Sequence, residues 1–134
     1  MSEISDILRG LVRERARNRC EYCLIAEVFV TLHEPDHIIA VQHRGATAPD
    51  NLALACFECN RRKGPNISSL DSETGQVVPL FHPRRDKWTK HFLLDGVRIV
   101  GRTAVGRATV ELLRFNDPWR VRVRAELHRV GRYP

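Results

Sequence analysis

Residues 20–64 read CEYCLIAEVFVTLHEPDHIIAVQHRGATAPDNLALACFECNRRKG, and this stretch decides the fold. It carries two CxxC pairs, Cys20 with Cys23 and Cys56 with Cys59. Each pair lets two thiolates approach one ion from a tight turn, and two pairs complete the tetrahedral sulfur site that zinc prefers. The spacing therefore predicts a structural zinc ion. An iron–sulfur cluster and four buried free cysteines stay open as alternatives.

The size and charge of the chain set the broad class. Its 134 residues predict one domain over 1–134, and 22 Lys and Arg against 16 Asp and Glu give a net charge of +6. This charge favours a polyanionic partner, whether nucleic acid or an anionic membrane surface. No apolar run approaches the roughly 20 residues that span a bilayer, and the N-terminus lacks a basic segment followed by an apolar one. We therefore expect a cytoplasmic protein that does not enter membranes.

The pattern of apolar residues predicts an α+β fold. Ile7, Leu8, Leu11 and Val12 recur at helical spacing and predict an amphipathic N-terminal helix. Runs of β-branched and apolar residues predict strands, and a short helix ended by Gly64 follows the last of them. These three strands and the helix are predicted at 28–32, 36–41, 52–55 and 57–63.

The second half of the chain predicts a hairpin and helices. The segment 66–78 is polar and predicts a surface loop or a small hairpin, while Asp95-Gly96 between apolar runs predicts a hairpin turn with positive φ. A helix is predicted at 103–115. In the next segment, Val121-Arg122-Val123-Arg124 alternates like a strand, but Pro118 suits the first position of a helix. We therefore predict a second helix there.

Polar residues between and after the cysteines suit phosphodiester hydrolysis. This reaction needs a base that deprotonates water and a hard cation that neutralises charge on the leaving oxygen. The ordinary pKa of His37 lies near the operating pH, so His37 can be the base. Asp36 and Asn60 offer the oxygen ligands that suit Mg²⁺. Because neighbouring residues of a strand point to opposite faces, Asp36 and His37 can serve one site only if the strand ends or bends there.

At these residues the chain resembles the HNH endonucleases of the ββα-metal superfamily. The shared elements are CxxC, DHI, a Gly-containing loop, NL, CxxCN and KG. The resemblance implies a ββα-metal core with a four-cysteine structural zinc site at about 20–66, with the C-terminal extension 67–134 packed on it. It also implies that Asp36 binds the catalytic metal and that His37 is the general base. Asn51 would brace the loop and help to orient the base, and Asn60 would be the last metal ligand.

The chain departs from the family pattern, or adds an unusual residue, in three places. Asn60 stands where the family often has His, which makes the chain an H-N-N variant like the HNH domain of RNA-guided CRISPR nucleases. The loop after His37 reads His43-Arg44-Gly45-Ala46, whereas the family often has Gly-Gly. Pro35 lies directly before Asp36 and removes a ladder donor. None of these differences removes a catalytic group.

The sequence thus predicts a Mg²⁺- or Mn²⁺-dependent endonuclease that hydrolyses phosphodiester bonds in DNA. Basic residues are predicted to contact the phosphate backbone; they are Arg61, Arg62, Lys63, Arg84 and Arg85. Two alternatives stay open, a non-catalytic zinc-containing module that binds nucleic acid and an RNA-directed nuclease. A homodimer, which would permit cuts in both strands, also stays open.

Overall fold

The computed structural model describes residues 3–27 and 32–134. Most of the strand predicted at 28–32 therefore lies outside the described residues. The helices are α1 (Asp6–Ala16), α2 (Phe57–Lys63), α3 (Trp88–His91), α4 (Ala104–Leu112) and α5 (Pro118–Arg129). The strands are β1 (Glu34–His37), β2 (Leu52–Ala55), β3 (Ser68–Leu70), β4 (Val77–Pro79), β5 (Phe92–Asp95) and β6 (Arg98–Gly101). Helices and small antiparallel sheets occur together, which confirms the predicted α+β class.

Helix α1 packs through a narrower apolar face than the sequence predicts. Ser5 caps its N-terminus, with Oγ accepting a hydrogen bond from the Leu8 amide at 3.2 Å. Val12 is fully buried against β2, and Leu8 packs against the same cluster. Ile7 is 86% exposed and Leu11 is 42% exposed, so these two apolar side chains lie outside the packed face. The row formed by Leu8 and Val12, four residues apart, packs on β2, while the adjacent row formed by Ile7 and Leu11 faces solvent.

Strands β1 and β2 form the antiparallel pair of the ββα unit, and α2 follows β2 directly. The register places Asp36 opposite Ala53 and His37 opposite Leu52. The strand predicted at 36–41 in fact begins at Glu34 and ends at His37. It ends there because the Asn51 side chain, rather than a backbone partner, binds the amide of Ile39.

The C-terminal extension has the predicted hairpin and helices. β3 pairs with β4, so the segment 66–78 forms part of a small hairpin, and β5 pairs with β6. Gly96 in the β5–β6 turn has φ of 62°, which confirms the predicted positive φ. The alternating segment 121–124 lies within α5, so the helical prediction is also confirmed.

One apolar core joins the cysteine pairs to the C-terminal extension. The Tyr22 and Phe81 rings lie 6.3 Å apart between centroids, and the Phe81 and Phe92 rings 5.1 Å apart. Phe92 continues to Phe115 at 5.7 Å. Both the cysteine turns and the extension thus bury their apolar surface in the same cluster. In the part of the chain that the structure describes, no helix has the length and apolar character needed to cross a membrane.

Two glycines in helices provide a matched test of this packing. A Cβ on Gly106 of α4 would lie 2.0 Å from the carbonyl oxygen of His91, whereas a Cβ on Gly10 of α1 would meet no heavy atom within 4 Å. We expect Gly106→Ala to lower the free energy of unfolding by about 1–3 kcal/mol through overpacking. Gly10→Ala should raise it by up to about 1 kcal/mol through helix propensity. Urea unfolding followed by circular dichroism measures both, and equal stability of the two variants would contradict the close approach of α4 to α3.

Candidate active site and zinc centre

The four cysteine thiols converge on one buried point. Their sulfur atoms all lie within 4.8 Å of one another, and the sulfurs of Cys23 and Cys56 lie 3.7 Å apart. Zinc–sulfur bonds of about 2.3 Å place tetrahedral sulfurs about 3.8 Å apart. All four cysteines are free and buried. The cluster therefore fits a structural zinc ion with four protein ligands and no open position.

Each CxxC turn is shaped to carry thiolates. The amide of Cys23 donates to the Cys20 sulfur and the amide of Cys59 donates to the Cys56 sulfur, both at 3.4 Å. Burial raises the pKa of the Cys20 and Cys59 thiols well above the ordinary value. Without a cation these thiols would keep their protons, and zinc binding would release them. The zinc affinity of the cluster should therefore fall as the pH falls.

Asp36 carries a buried carboxylate oxygen that lacks a hydrogen bond. Its Oδ2 has no hydrogen-bond partner among the described residues, although the Lys63 ammonium lies 3.2 Å away without the alignment of a hydrogen bond. Burial raises the pKa of Asp36 above its ordinary value, and the charges of Lys63 and His37 oppose this rise. An unsatisfied buried carboxylate oxygen suits a hard cation such as Mg²⁺. The Asp36 side chain thus fits the role of a metal ligand.

Lys63 lies inside the site and not on the outer surface. Its side chain is only 2% exposed, and its ammonium donates to the His37 carbonyl oxygen at 3.2 Å while facing Asp36. Asn60 lies three residues earlier in α2, on the same face of the helix, and is partly buried. The helix therefore brings Asn60 to the side that faces β1.

The His37 imidazole is held by a residue that the sequence did not single out. Its Nε2 lies 2.8 Å from the Thr47 hydroxyl oxygen. Among the described residues Nδ1 makes no hydrogen bond. A lone threonine in a polar loop, ten residues after the histidine, carries no sequence signal that distinguishes it from other loop residues.

Asn51 closes the loop that follows His37. Its Oδ1 accepts from the Ile39 amide at 2.9 Å, and its Nδ2 donates to the carbonyl oxygens of Ile39 at 3.0 Å and Ala46 at 2.8 Å. A Cβ on Gly45 would lie 1.7 Å from the Ile39 oxygen and 2.8 Å from the Asn51 Nδ2. The loop therefore needs glycine at this position, although the family's Gly-Gly pair is absent.

The sequence that carries these residues matches a known family model. Residues 20–66 match the family model described as HNH endonuclease. Over this segment the chain is similar to the HNH endonucleases. No curated protein and no solved structure matched the chain significantly. The match ends at residue 66, so it covers the cysteines, β1, β2 and α2 but not the extension.

The basic residues near the HNH segment fall into two groups. Arg61 and Arg85 are exposed, and partly exposed Arg62 lies 3.6 Å from Glu58. Arg84 instead forms a largely buried ion pair with Glu21, which joins the extension to the first cysteine pair. Arg84 and Lys63 thus have partners within the protein, whereas Arg61 and Arg85 are available to contact a polyanion.

The sulfur cluster predicts a specific metal content. We expect one zinc per chain by elemental analysis of the purified protein. Removal of the zinc by a chelator should lower Tm strongly, because the four-cysteine site stabilises the folded state only when it is occupied. Mg²⁺ added to the stripped protein should not restore Tm, since Mg²⁺ prefers oxygen ligands. Iron with visible absorbance, or a Tm unaffected by metal removal, would contradict a structural zinc.

Proposed function

We propose that the chain is a divalent-cation-dependent HNH endonuclease that hydrolyses phosphodiester bonds in DNA. The observation that carries this proposal is the buried carboxylate of Asp36, which lies next to His37 in the segment that matches the family and faces the buried Lys63 ammonium at 3.2 Å. A buried pair of this kind seldom adds net stability, so a structural zinc module that only binds nucleic acid would have little use for it. The arrangement is expected where a cation binds during function.

Asp36 and Asn60 are the residues proposed to hold the catalytic cation. Bound Mg²⁺ or Mn²⁺ would stabilise negative charge on the scissile phosphate and the departing 3′ oxygen. Lys63 places a positive charge 3.2 Å from the Asp36 carboxylate and opposes the rise in its pKa that burial causes, which favours the ionised form of the ligand. The buried lysine therefore acts on Asp36, and a contact between Lys63 and substrate phosphate stays a prediction.

His37 is proposed to accept the proton of the attacking water through Nδ1. If Nε2–H donates to the Thr47 hydroxyl, the neutral ring presents Nδ1 as its acceptor. Thr47 thus orients the ring, in the way a third group orients a catalytic base. Asn51 and Gly45 hold the loop from which Thr47 reaches His37. Cleavage would leave 5′ phosphate and 3′ hydroxyl ends, as the family resemblance implies.

The charge distribution supports a nucleic-acid substrate. The chain carries +6, and Arg61 and Arg85 are exposed. Contacts to phosphate make binding dependent on salt and indifferent to base sequence. DNA is the proposed substrate, and RNA is tested beside it. The proposal treats 1–134 as one cytoplasmic domain, and the core shared by the cysteines and the extension supports one folding unit.

The first functional test is plasmid nicking with His37→Ala. We expect the wild type to nick supercoiled DNA with Mg²⁺ or Mn²⁺, and the variant to lose at least about 100-fold in rate, because general base catalysis contributes about 10²–10⁴. His43→Ala, which removes an exposed imidazole from the same loop, is the matched control and should retain activity. Zinc content should stay unchanged in both variants.

The alternatives give different results in the same assay. Binding of DNA without cleavage under either cation would favour the non-catalytic zinc module. Faster cleavage of RNA than of DNA of the same sequence would favour the RNA-directed nuclease. Cutting by His37→Ala that persists in EDTA would rule out the proposed mechanism.

The role of Thr47 can be tested with near-isosteric variants. Thr47→Val keeps the shape but removes the hydroxyl, so we expect kcat to fall by about 10-fold as the ring loses its orientation, which is less than the about 10²–10⁴ contributed by the base itself. Thr47→Ser keeps the hydroxyl and should retain most of the activity. KM and Tm should change little in either variant. Equal activity of Thr47→Val and wild type would show that the hydrogen bond to Nε2 does not orient the base.

A further inference from the structure

A buried arginine from the C-terminal extension reaches the sulfurs of the second cysteine pair. Arg120 of α5 is 5% exposed, and its Nη2 lies 3.1 Å from the Cys59 sulfur and 3.7 Å from the Cys56 sulfur. Its Nη1 donates to the carbonyl oxygens of Leu113 at 2.6 Å and Arg114 at 3.1 Å. The guanidinium therefore connects the end of α4 with the proposed zinc centre.

The charge of the centre explains why such a contact would matter. Four thiolates around one Zn²⁺ leave a net charge of about −2, and burial of uncompensated charge is strongly unfavourable. The Cys20 and Cys56 sulfurs receive backbone amides from their own CxxC turns. The Cys59 sulfur accepts from the Arg120 guanidinium at 3.1 Å, which is shorter than the 3.4 Å of the two amide contacts. This donor also brings a full positive charge to the sulfur.

The extension also donates hydrogen bonds to backbone carbonyl oxygens of the first CxxC turn. Trp88 Nε1 donates to the Tyr22 carbonyl oxygen at 2.8 Å, and the Tyr133 hydroxyl donates to the Cys23 carbonyl oxygen at 2.9 Å. These contacts position the turn without touching a ligand atom. Arg120 is thus the side chain of the extension, among the described residues, whose nitrogen reaches the sulfurs.

We propose that Arg120 is a positioning residue of the zinc centre, whose guanidinium hydrogen-bonds the Cys59 and Cys56 thiolates and compensates their charge. The C-terminal extension then completes the zinc centre from outside the segment that matches the HNH family. Groups that hydrogen-bond metal ligands typically change metal affinity by about 10–100-fold when removed. This inference rests on zinc binding and is independent of nuclease activity.

Arg124 provides a matched control in the same helix. It is 1% exposed, and its guanidinium donates to the carbonyl oxygens of Val97 and Phe115 and to the Asn116 side chain. Replacing Arg124 removes a buried guanidinium from α5 without removing a hydrogen bond to sulfur. A difference between Arg120 and Arg124 variants therefore reports on the sulfur contact and not on the docking of α5.

The test compares Arg120→Met with Arg124→Met in the full, zinc-loaded chain. Zinc affinity is measured by competition with a coloured chelator. We expect Arg120→Met to bind zinc about 10–100-fold more weakly, and Arg124→Met to stay within a few-fold of wild type. In the Co²⁺-substituted proteins, the thiolate-to-cobalt charge-transfer band of Arg120→Met should move to longer wavelength, because an unbonded thiolate gives up its electrons more readily. The band of Arg124→Met should not move.

The opposite outcome is equally clear. Equal zinc affinities for the two variants, with charge-transfer bands at the wild-type wavelength, would overturn the proposal and leave Arg120 as a residue that only docks α5. If Arg120→Met does not yield folded protein, the comparison moves to Arg120→Lys and Arg124→Lys. Lysine keeps the charge but loses the planar fork, so a band shift confined to Arg120→Lys supports the proposal and its absence overturns it.

Discussion

The convergence of four buried thiols is the constraint on which the rest of the structure depends. The backbone of Glu21 in the first turn donates to the Leu54 carbonyl oxygen, and the Glu21 carboxylate accepts from the Leu54 amide, both at 2.8 Å. The same strand ends at Ala55, directly before Cys56, whose sulfur caps α2. Fixing the thiols thus fixes the end of β2 and the direction of α2. The direction of α2 brings Lys63 against Asp36.

The site carries features that a protein selected for stability alone would avoid. A carboxylate with a raised pKa lies beside a lysine that is 2% exposed, and the carboxylate keeps an unbonded oxygen. A buried pair of this kind seldom adds net stability, because the cost of desolvation offsets the attraction. Natural proteins keep such local conflicts mainly at functional sites. The loop carries a further constraint, since only glycine at position 45 leaves room for the Ile39 carbonyl.

The sequence predicted what depends on local spacing and missed what depends on tertiary contacts. The CxxC pairs and the order of β1, β2 and α2 follow from spacing and periodicity, and Pro118 resolved the ambiguous α5. The end of β1 at His37 did not follow, because the side chain of Asn51 and not a β-propensity ends the strand. The burial of Lys63 and the roles of Thr47 and Arg120 depend on partners 10 to 64 residues away in the chain. No local pattern marks such partners.

The extension explains how so short a segment can be stable. The part that matches the HNH model spans only residues 20–66, and units of this size usually need a metal or added packing. Here both supports act on the same atoms. The thiols would bind zinc, and the row of rings from Tyr22 through Phe81 and Phe92 to Phe115 lies in the same buried cluster as the thiols. Arg120 connects the metal site with the packing of the extension. Its Nη2 contacts the Cys59 sulfur, and its Nη1 donates to the Leu113 carbonyl oxygen at the end of α4. A substitution that weakens the packing of α5 should therefore first disturb the geometry of the zinc centre. Through β2 and α2, it should then displace the residues proposed to perform the cleavage.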